Sequence, residues 1–382
     1  MKTYLLMSGD FTPWGGMDRA NYELAWHLAH RLGAAVHLIG HSVAAPLVEH
    51  PNITWHRVVK RLSSYTLSAP MLAWQGRRVA RVLARQGARI IVNGGNCAWP
   101  DINWVHAVHA AWNNRDRHAS VSFRLRNAWR KQSARHAERR AVSRARLVVV
   151  NSQRARQDLI DALGIAPERA QVVYLGCDPA VFRPFTPPEQ AAARLRLGLP
   201  AARQIVAFIG AMGQDRNKGF DVLFTAWQQL CRNPAWDVDL VAAGEGAEVR
   251  YWQQEVEKAE LGGRVHVLGF VRRIGDVFAA ADALVSPTHY DGYGLSVHEA
   301  VCCGLPAFVT RSAGVAERYP SDLNHLLLDD PPGAADVAAR LLNWRRDPVA
   351  HSLRVKRFGE AMRQRTWADM AEEMVDIIEK AA

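Results

Sequence analysis

Paired cysteines are missing from this chain. Its five cysteines (Cys97, Cys177, Cys231, Cys302, Cys303) show no ligand-pair spacing, and the adjacent Cys302 and Cys303 cannot bridge comfortably. Neither a disulfide scaffold nor a zinc site is expected, and a reducing cytoplasm fits best. Long apolar runs are also missing. The longest are strand-length pieces, so no segment is expected to span a bilayer as a helix. Tyr4-Leu5-Leu6-Met7 is too short for the apolar region of a signal peptide and reads as a first buried strand. Solenoid repeats and low-complexity tracts are absent as well.

What remains is globular. The 382 residues exceed one ordinary core, and the 49% hydrophobic and 22% charged fractions are those of a soluble protein, so two domains are expected. Net charge is +11 and uneven: the segment from Arg115 to Arg146 holds eleven basic and two acidic residues, and the rest is close to neutral. Such a patch implies an anionic surface or substrate. Within it Ala134, Ala137, Ala141 and Ala145 recur at helical spacing, with Arg135, Arg139 and Arg140 off that face.

Strand-like and helix-like stretches alternate along the chain. Thr3–Met7, Val36–Ile39, Asn52–Val59, Arg89–Val92, Val105–Val108, Leu147–Val150 and Gln171–Leu175 read as strands of the first half. Gln204–Ile209, Asp237–Ala242, Arg264–Leu268, Ala283–Ser286 and Ala307–Thr310 read as strands of the second. Three prolines in Phe182–Pro188 mark a linker. The pattern predicts an α/β fold of two Rossmann-like domains, with parallel sheets facing a central cleft at the strands' carboxyl ends. The expected division is residues 1–184, residues 185–365, and a C-terminal helix, 366–382, crossing back to the first domain.

Two stretches carry chemistry. Ser286 to Pro306 reads strand, glycine turn (Gly292, Gly294), helix start near Ser296. That geometry aims free N–H groups at an anion, with Asp291 and Glu299 framing the turn. A loop after Ile209-Gly210 carries Arg216 and Lys218 at a strand's carboxyl end, where phosphate-binding cations are expected. The bland alternatives are an ordinary strand–helix connection and solvated loop charges.

The motifs Gly-Ala-Met-Gly…Arg-x-Lys-Gly-Phe-Asp, Ala-Ala-Gly-Glu-Gly and Ser-Pro-Thr-x-Tyr-Asp-Gly-Tyr-Gly-Leu-Ser-Val-x-Glu-Ala-x-x-Cys-Gly-Leu-Pro resemble the family 4 retaining glycosyltransferases of GT-B fold. Gly15-Gly16 before a helix, Glu138-Arg139-Arg140-Ala141 and Leu175-Gly176-Cys177-Asp178 extend the resemblance over nearly the whole chain. It implies roles residue by residue. Glu299 matches the second acid of an E-x7-E pattern and holds ribose hydroxyls. Asp291 stands one methylene short at the first acid and faces the donor sugar. Gly294, Leu295 and Ser296 offer the turn and its N–H groups to the distal phosphate. Lys218 binds phosphate. Arg216 is expected to supply the charge of the family arginine that Ala211 replaces. Gly16 allows close approach near the donor phosphate. His109 matches a histidine near the reacting sugar, with His106 as the competing candidate.

The resemblance implies a transferase moving a sugar from a nucleotide-diphosphate donor to a saccharide or lipid-linked acceptor, in surface polysaccharide or glycolipid assembly. Cations and N–H groups stabilise the leaving diphosphate, so neither a metal nor another cofactor is expected. Arg135, Arg139 and Arg140 are expected to face the acceptor or an anionic membrane, placing the protein at its inner face. Two alternatives stay open: a nucleotide-sugar epimerase of the same fold, and a nucleic-acid or anionic-surface binder using the basic segment.

Overall fold

The computed structural model describes residues 1–60, 64–112 and 118–381. Arg115, Asp116 and Arg117 of the basic segment lie outside these residues. The chain forms two compact units. The first comprises Met1–Asn113, Val121–Gly176 and Thr366–Ala382, and the bulk of the second is Cys177–Arg365.

The first unit holds strands β1 (Thr3–Met7), β2 (Asp10–Phe11), β3 (Ala35–Gly40), β4 (Ser42–Val43), β5 (Ile53–Arg57), β6 (Arg89–Asn93), β7 (Ile102–Val105), β8 (Leu147–Val150) and β9 (Ala170–Val172). Seven form one parallel sheet in the order β5-β3-β1-β6-β7-β8-β9. The central strands are continuous apolar runs because helices cover both faces. Leu5 and Met7 of β1 pack with Ile90 and Val92 of β6 and with Leu72, Ala80 and Leu83 of a covering helix. Each such burial contributes about 1.5–3 kcal/mol. The helices are α1 (Met17–Trp26), α2 (Ala45–Val48), α3 (Tyr65–Arg85), α4 (Val121–Arg144) and α5 (Gln153–Leu163). Ser152 caps α5 by accepting the Ala155 N–H at 3.0 Å. The helix Trp367–Lys380 belongs to this unit, where Glu379 bonds Lys2 and the Tyr4 hydroxyl, each at 2.8 Å.

The strand expected at Val105–Val108 lies earlier. Its partner β8 ends at Val150, opposite Val105, so His106, Ala107 and Val108 have left the sheet. His109 therefore sits in the turn beyond the strand end.

The second unit continues with α6 (Pro187–Leu197), β10 (Gln204–Ile209), α7 (Phe220–Cys231), β11 (Val238–Ala243), α8 (Val249–Lys258), β12 (Val265–Gly269), α9 (Ile274–Ala280), β13 (Ala283–Ser286), α10 (Leu295–Cys302), β14 (Ala307–Thr310), β15 (Leu327–Leu328), α11 (Ala334–Arg346) and α12 (Pro348–Arg363). Its six strands are parallel in the order β12-β11-β10-β13-β14-β15. The order reverses between β10 and β13, the topological switch point where such sheets bind ligands beyond the strand ends. The loops that carry Lys218 and Gly294 leave these two strands.

Candidate functional site

In the second unit, two loops are stitched together at that switch point. Asn217, nearly buried, donates from Nδ2 to the Tyr290 carbonyl at 2.8 Å. Its own carbonyl accepts the His289 N–H at 2.8 Å and the Thr288 hydroxyl at 3.2 Å. Gly219 has φ +73°, and a Cβ there would lie 1.8 Å from the Pro287 carbonyl oxygen, so only glycine lets the loops meet this closely. The result is an ion pair: Lys218 Nζ sits 2.5 Å from Asp291 Oδ2. Sequence reading named both ends of that pair and missed Asn217, which carries no signal beyond being a polar loop residue.

Gly294 then turns the chain with φ +105° and begins α10. The Gly294 carbonyl accepts the Val297 and His298 N–H groups at 3.1 and 3.2 Å. The N–H groups of Leu295 and Ser296 stand in the first turn, ahead of any intrahelical acceptor. The Ser296 hydroxyl donates to the Ile209 carbonyl at 3.2 Å, tying the helix start to the end of β10. Glu299 lies one turn further, on the face of Leu295, and is largely buried. Lys218, Asp291, Gly294, Leu295, Ser296 and Glu299 thus gather on two adjoining loops and one helix start.

Arg216 does not join them as expected. Its Nε donates to Glu248 Oε2 at 2.9 Å, and its guanidinium stacks 4.8 Å from the Trp252 ring centroid and 5.3 Å from that of Tyr251. Its charge is matched by Glu248 and its plane by two aromatics. Both acids of the Asp237-Val238-Asp239 sequence are paired with arginines. Asp237, just before β11, pairs with Arg345 at 2.7 Å, and buried Asp239 within β11 pairs with Arg203 at 3.0 Å.

In the first unit, α4 clamps the His109 turn. Glu138 accepts the His109 and Ala110 N–H groups at 2.9 and 3.1 Å. Arg135 donates to the His109 and Trp112 carbonyls at 3.0 and 2.7 Å. Burial pushes the Glu138 carboxyl up to about 7, against the pull of those N–H groups and of Arg135. Burial, then Lys131 and Arg135, hold the His109 imidazole below its ordinary range, so it stays neutral at pH 7. Burial pushes His106 down to about 3, and neither ring nitrogen has a hydrogen-bond partner among the described residues. That is a packed side chain rather than an acid–base group.

The expected outward role of Arg135 is therefore corrected, because its guanidinium is spent on two carbonyls. Arg139 and Arg140 remain exposed. Glu138 was read only as part of a motif, because the two N–H groups it holds lie some thirty residues back in the chain. Gly16 precedes α1, and a Cβ there would meet nothing within 4 Å, which leaves room above its backbone. Asp18 nearby is pushed up to about 7 by burial and by Asp10.

These features define an α/β protein of two doubly wound parallel-sheet units. The family model described as Glycosyltransferase Family 4 matches residues 14–181, and that described as Glycosyl transferases group 1 matches residues 203–344. The chain belongs to this glycosyltransferase family. It is similar to the D-inositol 3-phosphate glycosyltransferase of Xylanimonas cellulosilytica, at 31% identity over 64% of this chain and 59% of that one. The corresponding enzyme of Corynebacterium jeikeium is 28% identical over 63% of this chain and 58% of its own length. The matched part thus spans less than two thirds of these curated relatives.

Among solved structures, sucrose-phosphate synthase from Thermosynechococcus elongatus superposes with a TM-score of 0.77 at 20% identity, covering 100% of this chain and 99% of that one. WaaG, a glycosyltransferase of lipopolysaccharide biosynthesis, gives 0.77 at 18% identity, covering 98% of this chain and 99% of its own. Anabaena HepE, solved with UDP and glucose, gives 0.72 at 20% identity, covering 100% of both chains. The fold is GT-B. The relatives are named as transferases, and nothing supports the epimerase alternative.

Proposed function

We propose that this protein is a retaining glycosyltransferase that moves a sugar from a nucleotide-diphosphate donor to a saccharide or lipid-linked acceptor. One observation carries the reading: the Lys218–Asp291 pair sits on loops that adjoin the open start of α10, with Glu299 one turn on. In the donor complex Lys218 leaves Asp291 for the phosphates, together with the Leu295 and Ser296 N–H groups. Breaking the bond from the anomeric carbon to the diphosphate oxygen puts charge on that oxygen, and these donors stabilise it. Asp291, released, accepts from donor sugar hydroxyls, and Glu299 accepts from the ribose. Gly16 admits the substrate, and neutral His109 offers a ring nitrogen to the reacting sugar. In this reading the cation that meets the phosphates is the Lys218 side chain.

The reading extends to where the protein works. Val121, Leu125 and Trp129 lie four residues apart on α4 and are 66%, 69% and 64% exposed, among exposed Arg124, Arg126 and Arg130. An apolar row flanked by arginines suits an anionic membrane surface better than a nucleic acid. Among the described residues no helix is long and apolar enough to cross a membrane. Assembly of a glycolipid or surface polysaccharide fits such a location.

The test is a thermal-shift screen of nucleoside diphosphates, UDP first, on wild type and Glu299→Ala. Product NMR would follow to read the anomeric configuration. The expected result is a higher melting temperature with one nucleotide, lost in the variant, and a retained anomer. A chain that no nucleoside diphosphate stabilises would overturn the reading.

A further inference from the structure

Three side chains that the proposed reaction does not use converge inside the second unit. Cys177, His298 and Cys302 are each at most 1% exposed, and one donor atom from each lies within 4.8 Å of the other two. The sulfurs of Cys177 and Cys302 are 3.6 Å apart. A disulfide needs about 2.05 Å. Two thiolates bound at about 2.3 Å to one tetrahedral ion lie about 3.8 Å apart. The observed spacing is that of the ligand edge, not of the bridge.

His298 supplies an independent sign. Its Nδ1 is 2.8 Å from the Tyr293 hydroxyl, while Nε2 is buried with no hydrogen-bond partner among the described residues. A histidine anchored through one ring nitrogen and open at the other is how imidazole is presented to a metal. Cys303, the residue after Cys302, is buried too but does not belong to the group of atoms that converge here.

We infer that Cys177, His298 and Cys302 form a buried binding site for one thiophilic d10 cation, zinc(II) or copper(I). Two sulfurs and an imidazole select such ions over magnesium or calcium, which want oxygen. The cysteine spacing in the sequence hides the site, because 125 residues separate Cys177 from Cys302. Only His298 and Cys302 leave a local trace, as neighbours one turn apart on α10. The site is a positioning device. Tyr293 and His298 flank the Gly294–Ser296 turn, so an ion would fix the start of α10 from its buried side. It is independent of the proposed transfer and does not stand or fall with it.

The test uses the full chain, stripped with chelator and reductant, then loaded with zinc(II) and desalted. Elemental analysis should find about one zinc per chain, and cobalt(II) in its place should give thiolate charge-transfer bands with intense visible absorption. Cys302→Ala and Cys177→Ser should retain less than about a tenth of that zinc, and Cys231→Ser all of it. Tyr293→Phe should keep the stoichiometry and bind about 10–100-fold more weakly. The inference is overturned if stripped wild type takes up neither zinc(II) nor copper(I). It is equally overturned if the cysteine variants retain metal like wild type, or if unreduced protein shows Cys177 bridged to Cys302. The wild-type spectrum decides even if a variant fails to fold.

Discussion

Lys218 and Asp291 neutralise one another until something displaces them, and that makes the pair a sensitive point. The lysine is paired with an acid of the turn that leads into α10, whereas Arg216 of the same loop is paired with Glu248. Lys218→Ala should therefore cost about 10²–10³ in kcat, the loss seen when one charge-stabilising donor is removed. Because the pair is partly exposed, stability should change little. A variant with wild-type turnover in a donor–acceptor assay would remove Lys218 from the chemistry.

Glu138 carries a different prediction. Burial raises its folded carboxyl from 4.5 to about 7. Between those values the unfolded chain holds fewer protons at this site than the folded one, so stability must fall as pH rises. The contribution is fully present below about pH 4.5 and is lost through pH 7, at most about 3 kcal/mol. Glu138→Gln keeps an acceptor oxygen for one of the His109 and Ala110 N–H groups and removes the titration. Melting temperatures from pH 5 to 8 should drop for wild type relative to the glutamine variant. Parallel curves would reject the assignment. At this scale the sequence told which residue types sit at the turn, but not their partners. Arg216 and Arg135 looked like free cations, and each proved to be spent on a group far away in sequence.

The element that matters most is α10, whose start depends on one backbone angle. Gly294 holds φ +105°, and a Cβ added there would sit 3.0 Å from Val315 Cγ1. An L-residue in that conformation costs about 1–3 kcal/mol. Gly294→Ala should lower the melting temperature by a few degrees and re-aim the Leu295 and Ser296 N–H groups. The clearer readout is the nucleotide-induced shift, which should shrink well beyond the stability change. A variant that keeps the full shift would show that this turn does not hold the phosphate.

Elements were the most legible level. The strands Thr3–Met7, Leu147–Val150, Gln204–Ile209, Ala283–Ser286 and Ala307–Thr310 stand where their apolar runs put them. Such strands are buried on both faces and read as unbroken apolar stretches. Val105–Val108 failed because pairing, not local apolarity, decides where a strand stops. The end of β8 sets it, and that lies more than forty residues on.

For the whole molecule, the alternation of strands and helices and the order of the motifs made the two-unit α/β fold readable in advance. The concentration of basic charge was readable too, though not the use of each arginine. Reversing Arg135, Arg139 and Arg140 together would mix two effects, since Arg135 braces the His109 turn. The membrane question belongs to the exposed first half of α4. Arg124, Arg126 and Arg130 flank the row Val121, Leu125 and Trp129, and all are exposed.

Each basic residue near an anionic leaflet contributes about 1 kcal/mol of attraction, screened over about 10 Å at 0.1 M salt. Changing all three arginines to glutamate replaces attraction by repulsion at three points. Sedimentation with phosphatidylserine-containing vesicles should then fall to background at 0.1 M salt. Wild type should lose binding as salt rises and should ignore neutral vesicles. Trp129→Ser should weaken binding while leaving its salt dependence intact, because it removes apolar contact and no charge. Melting temperatures should stay close to wild type, since none of these side chains is buried. If the glutamate variant sediments like wild type, α4 does not hold the protein to a membrane, and its exposed apolar row needs another partner.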